Sequence, residues 1–218
     1  MAIRIWALSC NWYSRFNAPA LPEIKAKSEF RLSDYLKFLE SPGAIVSLLI
    51  IILGHATHFG AYTFLAPALL EVGIVNNDLT YALISFGLIG LIANFLISRF
   101  INKFTFTCLL SMQLLLAIAL LFFPTYSYRL LGLILWAVAW GGLPLSLNIW
   151  NRTIRDGNNE SVSSLFILSA QIAIALGSGI GGKIYDMAGL TADYIFWTVI
   201  SLISAVVLVG SKIRAQYL

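Results

Sequence analysis

The chain has 218 residues, of which 59% are hydrophobic and 11% charged. Soluble domains carry about 25% charged residues and cannot hide this much apolar surface without large exposed patches, so the composition excludes an ordinary soluble domain and points to a polytopic membrane protein. The formal charge of +4 would suit a polyanion, but the basic residues are spread over separate connections, which excludes a nucleic-acid-binding face.

Residues 1–43 are polar and mixed in charge. Asn11 and Ser14 interrupt the apolar pieces near the start, so no signal-peptide core forms and the first apolar span is expected to act as its own membrane signal. Leu32, Tyr35, Leu36 and Leu39 recur at i, i+3, i+4 and i+7, which predicts a short amphipathic helix on the membrane surface or against the bundle. Pro42 and Gly43 end it. The cysteines, Cys10 and Cys108, have neither disulfide nor metal-ligand spacing and read as unpaired thiols.

A hydrocarbon core of about 30 Å needs roughly 20 apolar residues per helix. Six stretches meet that length: Ala44–Leu69, Thr80–Ser98, Phe104–Phe123, Leu130–Trp150, Val162–Gly182 and Tyr194–Gly210. The expected fold is therefore all-α and integral to the membrane, with six transmembrane helices. Residues 1–43 form a cytoplasmic segment, 44–211 the six-helix domain and 212–218 a cytoplasmic tail. Twelve of the 14 Lys and Arg residues fall on one side, and only Arg129 and Lys183 on the other. The positive-inside rule then puts both termini in the cytoplasm of a cell membrane, the bacterial inner membrane. The tripeptides beginning at Asn151 and Asn159 match the glycosylation acceptor, but they lie in a predicted cytoplasmic loop and read as chance.

In the first span His55, His58 and Tyr62 stand at i, i+3 and i+7, on one helical face. Polar groups inside a membrane face the bundle interior or a water-filled path, and histidine titrates nearest neutral pH. These three residues are expected to line a substrate path and to hydrogen-bond the solute, against the plainer alternative of two histidines bonding neighbouring helices. In the fourth span Trp140, Pro144, Asn148 and Asn151 share a second face, and Trp140 and Asn148 are expected to line the path with the first span. Pro144 removes one helical hydrogen bond and is expected to bend the helix during gating. In the fifth span Gly177 with Gly181, and Ser178 with Gly182, form small-xxx-small pairs suited to close helix packing. Gln171 is a further path candidate. The run LGSGIGG lacks the lysine, the serine and the preceding strand of a nucleotide loop. Glu71, Asp78, Asp186 and Asp193 are read as lying outside the spans, and no carboxylate as lying in mid-membrane.

Several of these strings resemble one family. The run Tyr62-Thr63-Phe64-Leu65-Ala66-Pro67-Ala68-Leu69 resembles the seventh helix of drug and sugar efflux permeases of the major facilitator superfamily, the arabinose efflux permease group above all. Asn94 through Ser98-Arg99 to Lys103 resembles the second copy of that superfamily's G-x-L-x-D-R loop, with Asn94 in place of glycine and Ser98 in place of aspartate. Trp140-Gly141-Gly142 with Pro144, Asn148 and Trp150 resembles the tenth helix. Leu176 through Gly182, with Asp186 and Gly189, resembles the eleventh. The resemblance covers roughly residues 22–218 and implies the second, C-terminal half of a 12-helix carrier.

The function the resemblance implies is that of a secondary-transporter half, exporting a small sugar-like or drug-like solute by alternating access, proton-coupled in the complete carrier. Its partners would be the lipid bilayer, the solute, and a separately encoded N-terminal half or a second copy of itself. The alternative is a truncated, non-transporting permease remnant. An enzyme is not expected: a rhomboid-type protease needs a G-x-S-G serine followed by a histidine, whereas both histidines here come first. No cofactor is expected, and no metal, because two histidines without nearby thiolates or carboxylates are too few ligands.

Overall fold

Hydrocarbon offers backbone amides no water to bond, so a chain that crosses it must close its hydrogen bonds within helices or a closed barrel. The computed structural model describes residues 40–153 and 159–216, and all regular structure among them is helical. The protein is an all-α integral membrane protein. The amphipathic segment read between Arg31 and Ser41 lies almost wholly outside the described residues, as do Cys10 and the middle of the loop after Thr153.

Helix α1 (Pro42–Tyr62) starts with proline in its first turn, where the missing N–H costs nothing. After Thr63 and Phe64 the chain continues as α2 (Leu65–Glu71). Pro67 explains the interruption: it cannot donate to the Thr63 carbonyl, and its ring crowds that carbonyl. Helix α3 is Asn76–Ser98, and α4 is Ile101–Phe122. The third span was expected to begin at Phe104, the residue where helical dihedrals are interrupted inside α4 (φ −130°, ψ 38°). A short 3-10 turn, Tyr126–Tyr128, leads into α5 (Arg129–Thr153), which passes Pro144 as one continuous helix.

The last stretch, Asn159–Gln216, departs from helical geometry at Gly189 (φ 79°, ψ −179°), a conformation open to glycine and strained for other residues. Its apolar part, Val162–Lys212, is 51 residues long. At 1.5 Å per residue that is about 75 Å of helix, far more than one crossing needs. It therefore consists of two helices, α6 (residues 159–188) and α7 (residues 190–216), folded back on each other at Gly189. Among the described residues five continuous apolar stretches stand where six were read, and the difference is this turn. The chain reverses at a single residue, where an eleven-residue loop was expected between Gly182 and Tyr194.

Helices α1 and α5 are the centre of the bundle. The α6–α7 hairpin packs along α1, α5 packs against α3 and α4, and α7 reaches α4. Several close helix contacts are made by glycine. A methyl group at Gly177 would sit 2.6 Å from the Ala56 carbonyl oxygen, and one at Gly181 would sit 2.8 Å from that of Gly60. Gly182 does not share this contact: nothing lies within 4 Å of a Cβ there, because one further residue turns it about 100° round the helix. Ser178 instead accepts a hydrogen bond from the Thr63 hydroxyl at 3.2 Å. On the other side of the bundle, Gly141 meets the backbone of Gly90 so closely that any Cβ would collide with its carbonyl.

Candidate functional site

The i, i+3, i+7 spacing in α1 turns His58 and Tyr62 toward α3 and α5. The Trp140 indole of α5 lies flat on the His58 ring, with centroids 3.4 Å apart and planes 3° from parallel. Tyr62 stacks on His58 at 5.0 Å, and Phe86 of α3 approaches Tyr62 at 5.7 Å. Trp136, one turn before Trp140, donates its Nε1–H to His58 Nδ1 at 3.1 Å. That bond makes Nδ1 an acceptor, so the ring proton of His58 sits on Nε2. His55 has the opposite tautomer, because its Nδ1 donates to the Ile51 carbonyl at 3.0 Å. His55 stands edge-on to Trp140 at 5.6 Å and to Phe166 at 5.8 Å, behind the stack and outside the cavity the stack lines.

His58, Tyr62, Phe86, Asn94, Trp140 and Pro144 line a cavity of about 570 Å³ between α1, α3 and α5. A second cavity, of about 550 Å³, is lined by Asn94, Pro144, Asn148, Arg152 and Phe166. The two share Asn94 and Pro144, so together they form one trough along α5, aromatic toward Tyr62 and polar toward Arg152. Asn94 fixes the wall between them: its Nδ2 donates to the Gly141 carbonyl at 2.8 Å, which leaves Oδ1 as an acceptor. That bond is possible because Gly90 and Gly141 let α3 and α5 come together at this level. Tyr62, Gly87 and Leu91 are exposed, so the trough opens on the outside of the bundle.

Asn151, from the shared face of the fourth span, and the path candidate Gln171 are placed elsewhere. Asn151 turns into the bundle, accepts from the Ser47 hydroxyl at 2.9 Å and donates to the Val162 carbonyl at 3.3 Å; it ties α1, α5 and α6 together. Gln171 is exposed on α6 and lines neither cavity. Among the described residues no group of three His, Cys, Asp or Glu side chains stands together as a metal site.

Gln113, which the sequence reading does not single out, and Asp193, which it places outside the spans, are both buried in the core. Gln113 of α4 is 0% exposed, and neither end of its amide has a hydrogen-bond partner; a glutamine at the centre of an apolar stretch was visible in the sequence. Asp193 was read as an outside carboxylate. It is 0% exposed, because the one-residue turn at Gly189 starts α7 early and carries Asp193 into the packed hairpin.

No protein-family model matches the chain. Sequence comparison finds proteins named purine ribonucleoside efflux pump NepI. The one from Shigella sonnei is 25% identical over 224 residues, which cover 94% of this chain and 56% of the relative. Those from Shigella dysenteriae and Escherichia coli are each 24% identical, with the same shares covered. The chain thus spans about half the length of the curated relatives it matches.

Proposed function

We propose that this chain is one six-helix half of a solute exporter of the major facilitator type, and that it works against a second six-helix unit. The observation that carries the reading is the trough. Its aromatic and amide groups form one wall, open along the face where a carrier's second half would close it. Alternating access needs two units that rock about a shared central site. The similar efflux pumps support this, since each is nearly twice as long as the stretch that matches.

The solute class we propose is the purine ribonucleoside. The similar proteins carry that substrate in their name. A flat heteroaromatic base suits the faces of Trp140, Tyr62 and Phe86, and the Asn94 Oδ1 acceptor can take an exocyclic N–H. His58 Nε2–H offers a donor to ribose or base. Twelve of the 14 basic residues in the predicted cytoplasmic segments favour cytoplasmic termini in an inner membrane. In that frame residues 1–43 are a cytoplasmic segment and 212–218 a tail. The second unit supplies the facing wall of the trough, and proton coupling belongs to the assembled pair.

The test is exit of labelled purine ribonucleosides from proteoliposomes holding the protein in its extracted assembly, with the mass measured by light scattering. The expected result is saturable exit from particles containing two six-helix units. His58→Ala is expected to cut the rate at least tenfold, because it removes the ring on which Trp140 and Tyr62 stack and leaves the Trp136 N–H unpaired. A single 24.0 kDa particle with exit no faster than from empty vesicles would overturn the reading.

A further inference from the structure

Asp193 occupies the first turn of α7 and is fully buried. Its Oδ1 accepts the indole N–H of Trp197 at 2.8 Å, while Oδ2 has no partner. Glycines close the surroundings. A methyl at Gly181 of α6 would lie 3.2 Å from Oδ1, and the Trp197 ring covers Gly60 of α1 so tightly that no side chain fits there. A carboxylate has a full charge and about four lone-pair sites to satisfy, whereas the neutral acid has no charge, accepts at its carbonyl oxygen and has one O–H left to place. One donor is what the site supplies. An ionised carboxylate held this way among apolar side chains is very costly.

We propose that Asp193 is a proton-binding site. The proton resides on Oδ2, Oδ1 is the carbonyl that accepts from Trp197, and release to a base or water leaves a carboxylate that the packed hairpin cannot hold. Losing the proton therefore separates α6 and α7 from α1 at Gly60 and Gly181. Gly60 lies between His58 and Tyr62 on the opposite side of the same helix, so the movement is passed to the trough. The proton site stands independently of the transport reading; only its coupling to export rests on that reading.

Among the described residues, the charged groups on the surrounding elements leave Asp193 without a counter-ion. On α2 and α5, Glu71 and Arg129 face each other at 3.6 Å. On α6, Lys183 and Asp186 are exposed. Helix α1 presents Gly60 there, with His55 and His58 directed to α5. Helix α4 contributes only the half-buried Cys108 thiol and the exposed Lys103, and Tyr194 beside Asp193 is buried with its hydroxyl unpartnered.

Infrared spectroscopy of the reconstituted protein tests the site directly. The expected result is a protonated-carboxyl C=O band at neutral pH that shifts with isotope-labelled aspartate and disappears in Asp193→Asn. Asp186→Asn is expected to leave it intact. The isotope shift in the unmodified protein keeps the test valid should the Asn variant fold poorly. No such band at neutral pH, or a band that survives Asp193→Asn, would overturn the proposal. Coupling is read separately: Asp193→Asn is expected to keep nucleoside counterflow, which moves no net proton, and to lose gradient-driven accumulation at least tenfold. Equal loss of both would overturn the coupling. Absence of any transport by the unmodified protein would sink the export reading and leave the infrared result standing.

Discussion

Gly141→Ala is expected to destroy the packing of α3 on α5, while Gly90→Ala, at the same crossing, is nearly silent. The two glycines face each other, but their Cβ directions differ. A methyl on Gly141 would be driven into the Gly90 carbonyl and its Cα, and backbone on both sides cannot swing aside as the end of a side chain can. A methyl on Gly90 would meet the Ala137 carbonyl at 3.3 Å and the Gly141 Cα at 3.8 Å, a fit that needs a few tenths of an ångström. Overpacking a well-filled interior costs about 1–3 kcal/mol, and more where backbone must shift. At Gly141 the shift also breaks the Asn94–Gly141 hydrogen bond, a further ~1 kcal/mol. Thermal melting of the detergent-solubilised protein checks this. Gly141→Ala should lose its monodisperse peak or melt far below the parent, and Gly90→Ala should melt beside it. Equal damage from the two changes would show that the crossing is looser than described. Because Asn94 stands between the two parts of the trough, the proposed export adds a second expectation: the same variant loses nucleoside exit even in the fraction that stays folded.

How far this architecture can be read from the chain depends on whether the property is local. The length of each apolar run is local, and it located the first four spans to within a few residues. Gly177 and Gly181 are also local, since i, i+4 spacing places them on one ridge. Gly182 is adjacent in sequence but one step round the helix, and spacing alone cannot say which ridge meets α1. Asp193 was misread for a related reason. A stretch with two acids and a lysine between apolar runs looks like a loop, but the reversal at Gly189 takes one residue and the helix resumes at once. In α1 the shared face of His58 and Tyr62 was legible, whereas the tryptophan that lies on it was not, because Trp140 arrives from a helix more than 80 residues away. Trp136 falls one turn from Trp140 on the same face, and extending the i, i+4 series backward from Trp140 would have found it. Gln113 was equally visible as a lone amide in a run of Leu and Ala; its burial follows from the side of α4 that faces the core, which the weak amphipathicity of a membrane helix does not reveal.

Arg129→Ala is expected to be among the most damaging single changes in the domain, although charge counting makes Arg129 one of two cations on the lightly charged side. Its side chain is 6% exposed and stitches three chain segments together. Nε donates to the Phe123 carbonyl at 2.9 Å, Nη1 to that of Ala68 at 2.6 Å and Nη2 to that of Pro124 at 3.3 Å. These carbonyls belong to the ends of α2 and α4, where helical partners run out. Hydrogen bonds from a charged donor contribute about 1.5–3 kcal/mol each, so deletion, which orphans three acceptors at once, is expected to cost several kcal/mol. Arg129→Lys keeps the charge but cannot span three carbonyls with one ammonium, and should recover only part of the loss. The nearby Glu71 separates the hydrogen-bonding contribution from the ionic one. Its side chain is 54% exposed and sits 3.6 Å from Nη1, and exposed ion pairs contribute ~0–1 kcal/mol. Glu71→Gln should therefore shift the melting temperature little. If Glu71→Gln proved as harmful as Arg129→Ala, the ion pair would be what holds α2 to the α4–α5 corner. A large loss in Arg129→Ala alone would assign that role to the three carbonyls.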